Sequence, residues 1–282
     1  MLWKTGIMLL AYMMIHGCIN AEENLLNVMS FNLRHGLAKD GDNSWPHRRN
    51  LLVEAIKHCN PDVLGTQECR DMQAAYLEAN LPDYRWIGIG RDPGGAGEMT
   101  AVFYKKNILL PMASGHFWLS ETPEVPSSKS WDTSLTRMCT WVRFQHIPSG
   151  RFFFYMNTHF DHVGEQARIH SAELLVKQAL VMAGGLPVLI TGDFNAEGET
   201  SRPWAVFHEE GFQDAWLTAP ERKGPKTTCC GFNAPDPNST ARIDWILSKG
   251  GLTAQRVETV VFTKKGRYPS DHFPVVAVFS LL

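Results

Sequence analysis

Short apolar runs rich in β-branched and aromatic residues recur along the chain and predict strands. The predicted strands cover residues 27–32, 63–68, 101–104, 141–146, 152–158, 188–191, 243–248, 257–263 and 274–279. Apolar residues at helical spacing predict helices over residues 48–58 and 165–182. Pro148-Ser149-Gly150 between two of the strands predicts a hairpin. Many strands with few helices predict an α/β fold of two packed sheets covered by helices.

Polar residues stand at the ends of these predicted strands. Asn32 ends the first strand, Glu68 the second, and the strand over residues 152–158 leads into His159. The strand over residues 188–191 leads into Gly192, Asp193 and then Asn195. A strand end fixes a side chain on a rigid element and still leaves it open to a cleft. We therefore expect these side chains to converge on one site.

Composition favours one enzyme-sized domain. The chain has 282 residues, of which 44% are hydrophobic and 20% are charged, enough to bury a large core. We expect residues 22–282 to form a single domain and the protein to be a monomer. The formal net charge is only −2, so the composition lacks the excess positive charge with which proteins bind long nucleic acids. A nucleic-acid partner is therefore less favoured than a small phosphorylated substrate.

The first 21 residues predict an export signal. Lys4 precedes an apolar stretch over residues 7–15, and a small-residue site surrounds Ala21. The stretch is too short to span a bilayer, and it lacks the polar face of a buried amphipathic helix. We expect a secreted or periplasmic protein with no transmembrane span. In the alternative interpretation, Cys18 is the lipidated residue of a lipoprotein signal, and the protein is anchored at the cell envelope.

The cysteines show no metal-binding spacing, which argues against a zinc site. After export, Cys59, Cys69, Cys139, Cys229 and Cys230 remain. In an oxidising compartment one disulfide is an alternative, with Cys59 and Cys69 as the suggested pair. Small buried hydrophobic residues are the favoured interpretation for most of them.

Six short motifs resemble those of the endonuclease/exonuclease/phosphatase superfamily, also called the DNase I-like fold, and occur in that family's order over residues 27–280. They are Ser30-Phe31-Asn32-Leu33-Arg34, Gln67-Glu68, Asn157-Thr158-His159-Phe160-Asp161-His162, Gly192-Asp193-Phe194-Asn195, Arg242-Ile243-Asp244-Trp245-Ile246-Leu247-Ser248, and Ser270-Asp271-His272-Phe273-Pro274-Val275. One such motif is weak, whereas six in order are specific. The resemblance implies a four-layered α/β sandwich of two mainly antiparallel sheets flanked by helices, with a divalent-metal site at one edge.

Glu68, Asn32 and Asp271 are the expected metal ligands. Magnesium takes hard oxygen ligands in octahedral geometry and keeps several waters, so one or two carboxylates and an amide are sufficient. The resemblance implies Asn32 and Glu68 in this role, with Asp271 acting directly or through water. We expect Mg²⁺ as the cofactor, and Mn²⁺ is the alternative.

Asp193 is the expected base that positions and deprotonates the attacking water. Asn195 would hold its orientation or bind a phosphate oxygen. His272 would bind the scissile phosphate as the imidazolium, with Asp244 bonded to its far nitrogen. The resemblance implies the same pairing of Asp244 with His272, and it places His159 as a second phosphate-binding histidine.

Substrate recognition is expected in the loops. His162 and Arg137 are candidate substrate-binding residues, and Arg137 would hold a second anionic group. Trp118, Trp131 and Trp204 are candidates for stacking on a sugar or base, although a buried tryptophan is the commoner situation. The loops with most of these features cover residues 90–98, 117–131 and 229–240.

The sequence therefore predicts a metal-dependent phosphoesterase that hydrolyses a small organic phosphate, such as a sugar or inositol phosphate. A secreted DNA or RNA nuclease is the first alternative, since the chemistry is the same. A non-catalytic binding module is the second, and the complete set of catalytic residue types argues against it.

Overall fold

A computed structural model describes residues 24–282 of the chain. The predicted signal over residues 1–21, with its alternative at Cys18, lies outside the described residues. Numbered in chain order, the strands are β1 (Leu25–Asn32), β2 (Val63–Gln67), β3 (Tyr84–Ile87), β4 (Val102–Lys105), β5 (Leu109–Trp118), β6 (Met138–His146), β7 (Phe152–His159), β8 (Val188–Asp193), β9 (Gln213–Asp214), β10 (Glu221–Lys223), β11 (Asp244–Lys249), β12 (Leu252–Thr259) and β13 (Val275–Leu281). The helices are α1 (Trp45–Cys59), α2 (Asp71–Asn80), α3 (Glu165–Ala183), α4 (Arg202–Glu209) and α5 (Ala215–Thr218).

The strands form two mixed sheets. One has the order β10-β12-β13-β1-β2-β4-β3 and the other β5-β6-β7-β8-β11-β9. The pairs β1 with β2, β7 with β8, and β10 with β12 are parallel. The other strand pairs are antiparallel, so the prediction of mainly antiparallel sheets is confirmed.

The alternation of side chains along the strands explains why there are four layers. In β1, Val28 points into the core between the two sheets, whereas Met29 packs with the residues of α1 and α2 on the outer face. In β7, Tyr155 points into the central core and Phe154 packs against α3. Strands buried on both faces read as continuous apolar runs. The predicted four-layered sandwich is therefore confirmed.

Several elements were not predicted. The ten-residue strand β5 contains Pro111 and Gly115, lies at an edge of its sheet and carries an irregularity between Pro111 and Ala113. Pro and Gly weaken the strand signal but are tolerated at an edge. The prediction that a loop begins at Phe117 was wrong, because Phe117 and Trp118 end β5. The strand predicted over residues 257–263 begins earlier and ends at Thr259.

The suggested disulfide is not formed: over residues 24–282, all five cysteines, including Cys59 and Cys69, are free thiols. In this part of the chain, no helix combines the length and the apolar content that crossing a bilayer requires.

Candidate active site

Central strands of both sheets deliver the motif residues to one edge of the sandwich. The parallel register of β7 and β8 places His159 opposite Asp193, and the antiparallel register of β8 and β11 places Asp193 opposite Asp244. The parallel register of β1 and β2 places Asn32 opposite Gln67, which directly precedes Glu68. These ends open into a cleft of about 350 Å³. The predicted convergence therefore occurs, and its cause is strand register.

Asn32 connects the two sheets. Its side-chain amide donates to Glu68 Oε1 at 3.0 Å and to Asp193 Oδ2 at 2.9 Å. The side-chain carbonyl oxygen of Asn32, Oδ1, accepts a hydrogen bond from the backbone N–H of Arg34 at 2.9 Å. The fully buried amide therefore fixes two carboxylates relative to each other across the sheet interface.

Glu68 follows β2 in the left-handed backbone region, with φ of 57°. Its other oxygen, Oε2, accepts the N–H of His35 at 2.7 Å. Burial alone would raise the pKa of Glu68, but the bonds from Asn32 and His35, together with the charge of His272, hold it below the usual value. Glu68 is therefore held as a carboxylate at the floor of the cleft.

Asp271 is the second acidic group on this side. Arg34 Nη1 lies 3.3 Å from Asp271 Oδ2, and Arg34 is itself bonded to Asp40 by two nitrogens. Burial raises the pKa of Asp271, and the negative charge of Glu68 adds to this effect. Two carboxylates that repel each other in a buried cleft are stabilised by a bound cation. The donor set therefore fits a hard divalent metal.

Asp193 is buried, and both of its oxygens are engaged. Oδ2 accepts from Asn32, and Oδ1 accepts the backbone N–H of Asn195 at 3.0 Å. Burial, followed by the negative charge of Asp244, raises the pKa of Asp193 to about 7. A carboxylate with such a pKa can take a proton from water far better than an exposed aspartate.

His272 lies between Asp244 and Asp193. Nδ1 is 2.9 Å from Asp244 Oδ2, and Nε2 is 3.9 Å from Asp193 Oδ2. Burial would lower the pKa of His272, but the charge of Asp244 and the hydrogen bond to it raise the pKa well above the usual value. One potential ligand atom from each of these three residues lies within 4.8 Å of the other two. This spacing would also allow the three residues to coordinate a metal. Since Nδ1 already shares a proton with Asp244, an acid-base role explains the cluster better.

His159 and Asn195 form the neighbouring wall. The Asn195 side-chain nitrogen donates to the carbonyl of Phe160 at 3.0 Å and contacts His159 Nε2 at 3.1 Å. Because the Phe160 carbonyl fixes the amide orientation, His159 Nε2 must accept. Burial and the charges of Arg137 and Arg91 hold the pKa of His159 well below its usual value. His159 is therefore neutral, with its proton on Nδ1.

The two predicted substrate-binding residues contact each other on the cleft wall. Arg137, which is 4% exposed, places Nη2 3.1 Å from His162 Nδ1 and Nε 3.4 Å from Asp161 Oδ1. Both Arg137 and His162 line the cleft. All ten predicted site residues are thus found at or directly beside this edge, with Asn32 and Asp244 behind its lining.

Sequence reasoning missed six residues that line the cleft. Two are apolar, Ala38 and Leu135, and four are polar: Arg34, His35, Arg91 and Glu98. Arg91 and Glu98 belong to the glycine-rich loop 90–98, which was identified as a specificity loop without these residues being singled out. Arg91 Nη1 lies 2.8 Å from Glu98 Oε2. Charged residues within a Gly-rich loop after a strand were the available signal.

The three candidate tryptophans do not line the cleft. Trp118 is buried, and its ring nitrogen donates to the Arg91 carbonyl at 2.8 Å. Trp131 stacks on His170, and the Trp204 ring nitrogen donates to Asp214. Within the described part of the chain, the only rings lining the cleft belong to histidines. The three tryptophans therefore do not contribute a stacking surface to this cleft.

Comparison with known proteins gives consistent matches. A family model described as Endonuclease/Exonuclease/phosphatase family matches residues 29–272. The structure of a protein of that family from Bacteroides thetaiotaomicron is 35% identical, with a TM-score of 0.85, over 90% of this chain and 94% of that chain. The structure of a mannosyl-6-phosphatase from the same organism is 34% identical, with a TM-score of 0.84, over 90% and 99% of the respective chains.

A curated relative, an uncharacterised protein of Acanthamoeba polyphaga mimivirus, is 30% identical over 165 residues. The match covers 54% of this chain and 60% of that protein. The chain therefore spans less than two thirds of the length of this relative.

Proposed function

The chain belongs to the endonuclease/exonuclease/phosphatase family, whose members hydrolyse phosphoester bonds, and we propose that it is a Mg²⁺-dependent phosphatase of small organic phosphates. One observation carries this proposal. A buried base, Asp193, and a buried Asp244–His272 pair open into the same cleft as the carboxylates Glu68 and Asp271. These are the groups required to activate water and to stabilise the charge that develops on phosphorus.

Glu68 and Asp271 would hold the metal, with Asn32 contributing through its carbonyl oxygen. The Asn32 amide nitrogen is already used by Glu68 and Asp193, so it also fixes the direction of the Glu68 carboxylate. Oxygen ligands of this kind suit Mg²⁺, and Mn²⁺ is the alternative ion. When bound, the metal supplies positive charge that offsets the charge of the phosphate oxygens.

Asp193 would accept the proton of the attacking water. Its pKa of about 7 places the group near the range in which a base is both available and strong. The bonds from Asn32 and from the Asn195 N–H hold the carboxylate in one orientation. A fixed orientation places the water for attack on the side of phosphorus opposite the leaving oxygen.

His272 would bind the phosphate oxygens, whereas the Asn195 amide hydrogens are already used by Phe160 and His159. The imidazolium form of His272 is stabilised by Asp244, and it leaves Nε2–H free to donate on the side that faces Asp193. A charged donor at this position stabilises the negative charge that grows in the transition state. Asn195 and His159, which contact each other, would complete the wall.

The cleft favours a small polar substrate. Its volume of about 350 Å³ exceeds that of a phosphate group and leaves space for a compact organic part. Its lining is dominated by charged and imidazole side chains, which suits hydroxyl-bearing or charged molecules. The mannosyl-6-phosphatase relative, at 34% identity, supports a sugar phosphate as the first substrate class to test. The net charge of −2 argues mildly against a nuclease.

The direct test measures phosphate release from sugar phosphates, inositol phosphates, nucleotides and sphingomyelin, and nicking of plasmid DNA, with Mg²⁺ and with chelator. We expect release from a small monoester, intact plasmid and loss of turnover in chelator. The Asp193→Asn variant is the matched control for contaminating phosphatase. Nicked plasmid without monoester hydrolysis would instead identify a nuclease. Full activity in chelator would contradict the metal requirement.

A further inference from the structure

A buried arginine behind the active site has no role in the chemistry described so far. Arg48, the fourth residue of α1, is 1% exposed. Within residues 24–282, no carboxylate accepts a hydrogen bond from it, and four of its N–H groups donate to backbone carbonyls instead. Burying a cation without a directly bonded counter-ion is costly. The position of this guanidinium therefore calls for an explanation beyond packing.

Arg48 joins the two chain segments that carry proposed metal ligands. Its Nη1 donates to the carbonyl of Leu33 at 2.6 Å and to the carbonyl of Pro269 at 3.0 Å. Leu33 directly follows Asn32, and Pro269 lies two residues before Asp271. A single nitrogen therefore connects the strand end that carries Asn32 to the segment that carries Asp271.

Arg48 also holds the residue that touches both of these ligands. Its Nη2 donates to the backbone carbonyl of Arg34 at 2.8 Å. The backbone N–H of Arg34 donates to Asn32 Oδ1 at 2.9 Å, and Arg34 Nη1 lies 3.3 Å from Asp271 Oδ2. Fixing the Arg34 backbone therefore fixes the group that lies between the two ligand oxygens.

The guanidinium of Arg48 is itself held in place. Its Nε donates to the Asn43 carbonyl at 2.9 Å, and its Cζ lies 5.4 Å from the ring centroid of Trp45 and 5.7 Å from that of Phe232. Burial lowers the pKa of Arg48 to about 10, and the negative charge of Asp271 opposes this effect. The group is therefore protonated at neutral pH and keeps all of its donors.

We propose that Arg48 is a positioning residue for the metal side of the active site, which clamps the segment after Asn32 to the segment before Asp271. This inference rests on the proposed function, from which it takes the two ligands. It goes beyond that function by naming the residue, outside the cleft, that sets their spacing. A site whose ligands are spaced before the metal arrives binds the metal more tightly.

The direct test measures Mn²⁺ binding by calorimetry without substrate, so that the readout does not depend on turnover. Arg48→Lys keeps the charge but has one nitrogen, which cannot replace a planar fork that bonds several carbonyls at once. Arg48→Met removes the charge as well. We expect the Kd for Mn²⁺ to rise about 10- to 100-fold in both variants, as for other groups that orient metal ligands. On the preferred ester, kcat should fall by a similar factor, with a smaller change in KM.

Two controls separate positioning from general effects. Arg49→Gln removes the neighbouring charge, which is exposed on the same helix. Leu281→Ala opens a cavity at the end of β13 opposite His272, where Leu281 is 2% exposed, and so lowers stability away from the site. Both controls should keep the Kd for Mn²⁺ and the kcat of the unaltered protein.

A normal Kd and kcat in folded Arg48→Lys would overturn the clamp, because charge alone would then suffice. Equal weakening of Mn²⁺ binding in Leu281→Ala would also overturn it, since loss of stability would explain the effect. If both Arg48 variants fail to fold, Ser270→Ala tests the same joint, because Ser270 Oγ donates to the Asn32 carbonyl at 2.6 Å. A normal Kd and kcat in Ser270→Ala would then overturn the clamp.

Failure of the proposed function gives different results. If the unaltered protein hydrolyses an ester but binds no Mn²⁺ or Mg²⁺, the metal requirement is wrong, and kcat in the Arg48 variants decides whether the clamp positions the site. If it binds Mn²⁺ but hydrolyses none of the esters, the phosphatase is wrong, and the calorimetry decides.

Discussion

Asp244 Oδ2 lies 2.9 Å from His272 Nδ1, and this single buried contact determines which nitrogen of His272 faces Asp193. The Asp244 carboxylate can only accept, so the Nδ1 proton is retained and Nε2 is left for the substrate. The other Asp244 oxygen, Oδ1, has no hydrogen-bond partner in the described residues. Within residues 24–282, His272 is therefore the only hydrogen-bond partner of the Asp244 carboxylate.

The first prediction follows from this pair. In Asp244→Asn the amide can donate to Nδ1, which would move the imidazole proton and remove the positive charge beside the phosphate. We expect kcat to fall by roughly 10²–10⁴, with a smaller change in KM. Steady-state kinetics on the preferred ester measures both values.

Asp83→Asn, on an exposed loop before β3, is the control. Nitrogen NMR of His272 should show a neutral ring in Asp244→Asn and an imidazolium in the unaltered protein. A kcat within threefold of normal, with a neutral ring, would show that the charge on His272 is not needed.

The second prediction concerns the metal. Glu68→Gln keeps the shape of the side chain but removes its charge. The Asn32 side-chain amide, which donates to Glu68 Oε1 at 3.0 Å, then has a weaker acceptor. We expect the Mg²⁺ concentration for half-maximal activity to rise at least about tenfold, with much of kcat regained at saturating metal. Activity titrations with Mg²⁺ and Mn²⁺ measure this shift.

Glu124→Gln, on an exposed loop, should leave the titration unchanged. An identical metal titration in Glu68→Gln would remove Glu68 from the ligand set and leave Asp271 as the remaining candidate carboxylate.

The third prediction concerns stability and pH at Asp161. Burial would raise its pKa, but bonds from the backbone N–H groups of Gly164 and Ser134, among others, hold the pKa far below its usual value. A group whose pKa is lowered on folding stabilises the protein above its unfolded pKa of about 4, and this stabilisation is lost as the pH falls below that value. We expect Asp161→Asn to lower the free energy of unfolding by about 2–3 kcal/mol at pH 7.

Urea denaturation between pH 7 and pH 3 measures this loss. The difference between the variant and the unaltered protein should shrink from about pH 5 downward. Asp236→Asn, on an exposed turn, is the control. A difference that stays constant down to pH 3 would mean that Asp161 acts through packing and not through its charge.

The strand ends that carry chemistry were predictable from the sequence, because short buried strands and the polar residues after them are both local features. Asp193 follows an apolar run directly, and Asp271 and His272 precede another. That these residues converge on one site could not be predicted from local sequence. It depends on pairings between strands that are distant in sequence, such as His159 with Asp193 and Asp244 with Asp193. The order of the motifs, through the family resemblance, supplied that information.

Arg91 shows what the sequence could not give. Its loop has no periodic pattern, and its position depends on a hydrogen bond from Trp118, a residue of the unpredicted edge strand β5. Pro111 and Gly115 hide that strand from pattern recognition. The charged residues of this Gly-rich loop were visible in the sequence, but the contact with Trp118, 27 positions away, left no local signal of where Arg91 lies.

The fourth prediction tests this positioning of Arg91. Trp118→Phe keeps a buried aromatic ring but removes the N–H that donates to the Arg91 carbonyl, leaving only the Ser127 hydroxyl at 3.1 Å. We expect the free energy of unfolding to fall by about 1 kcal/mol. KM should rise about three- to tenfold, with kcat nearly unchanged, because the Arg91 loop lines the substrate cleft without touching Asp193. Trp131→Phe, which alters a ring stacked on His170, controls for loss of indole alone. If Trp118→Phe lowers stability but leaves KM at its normal value, Trp118 supports the fold only, and the position of Arg91 is set by its ion pair with Glu98.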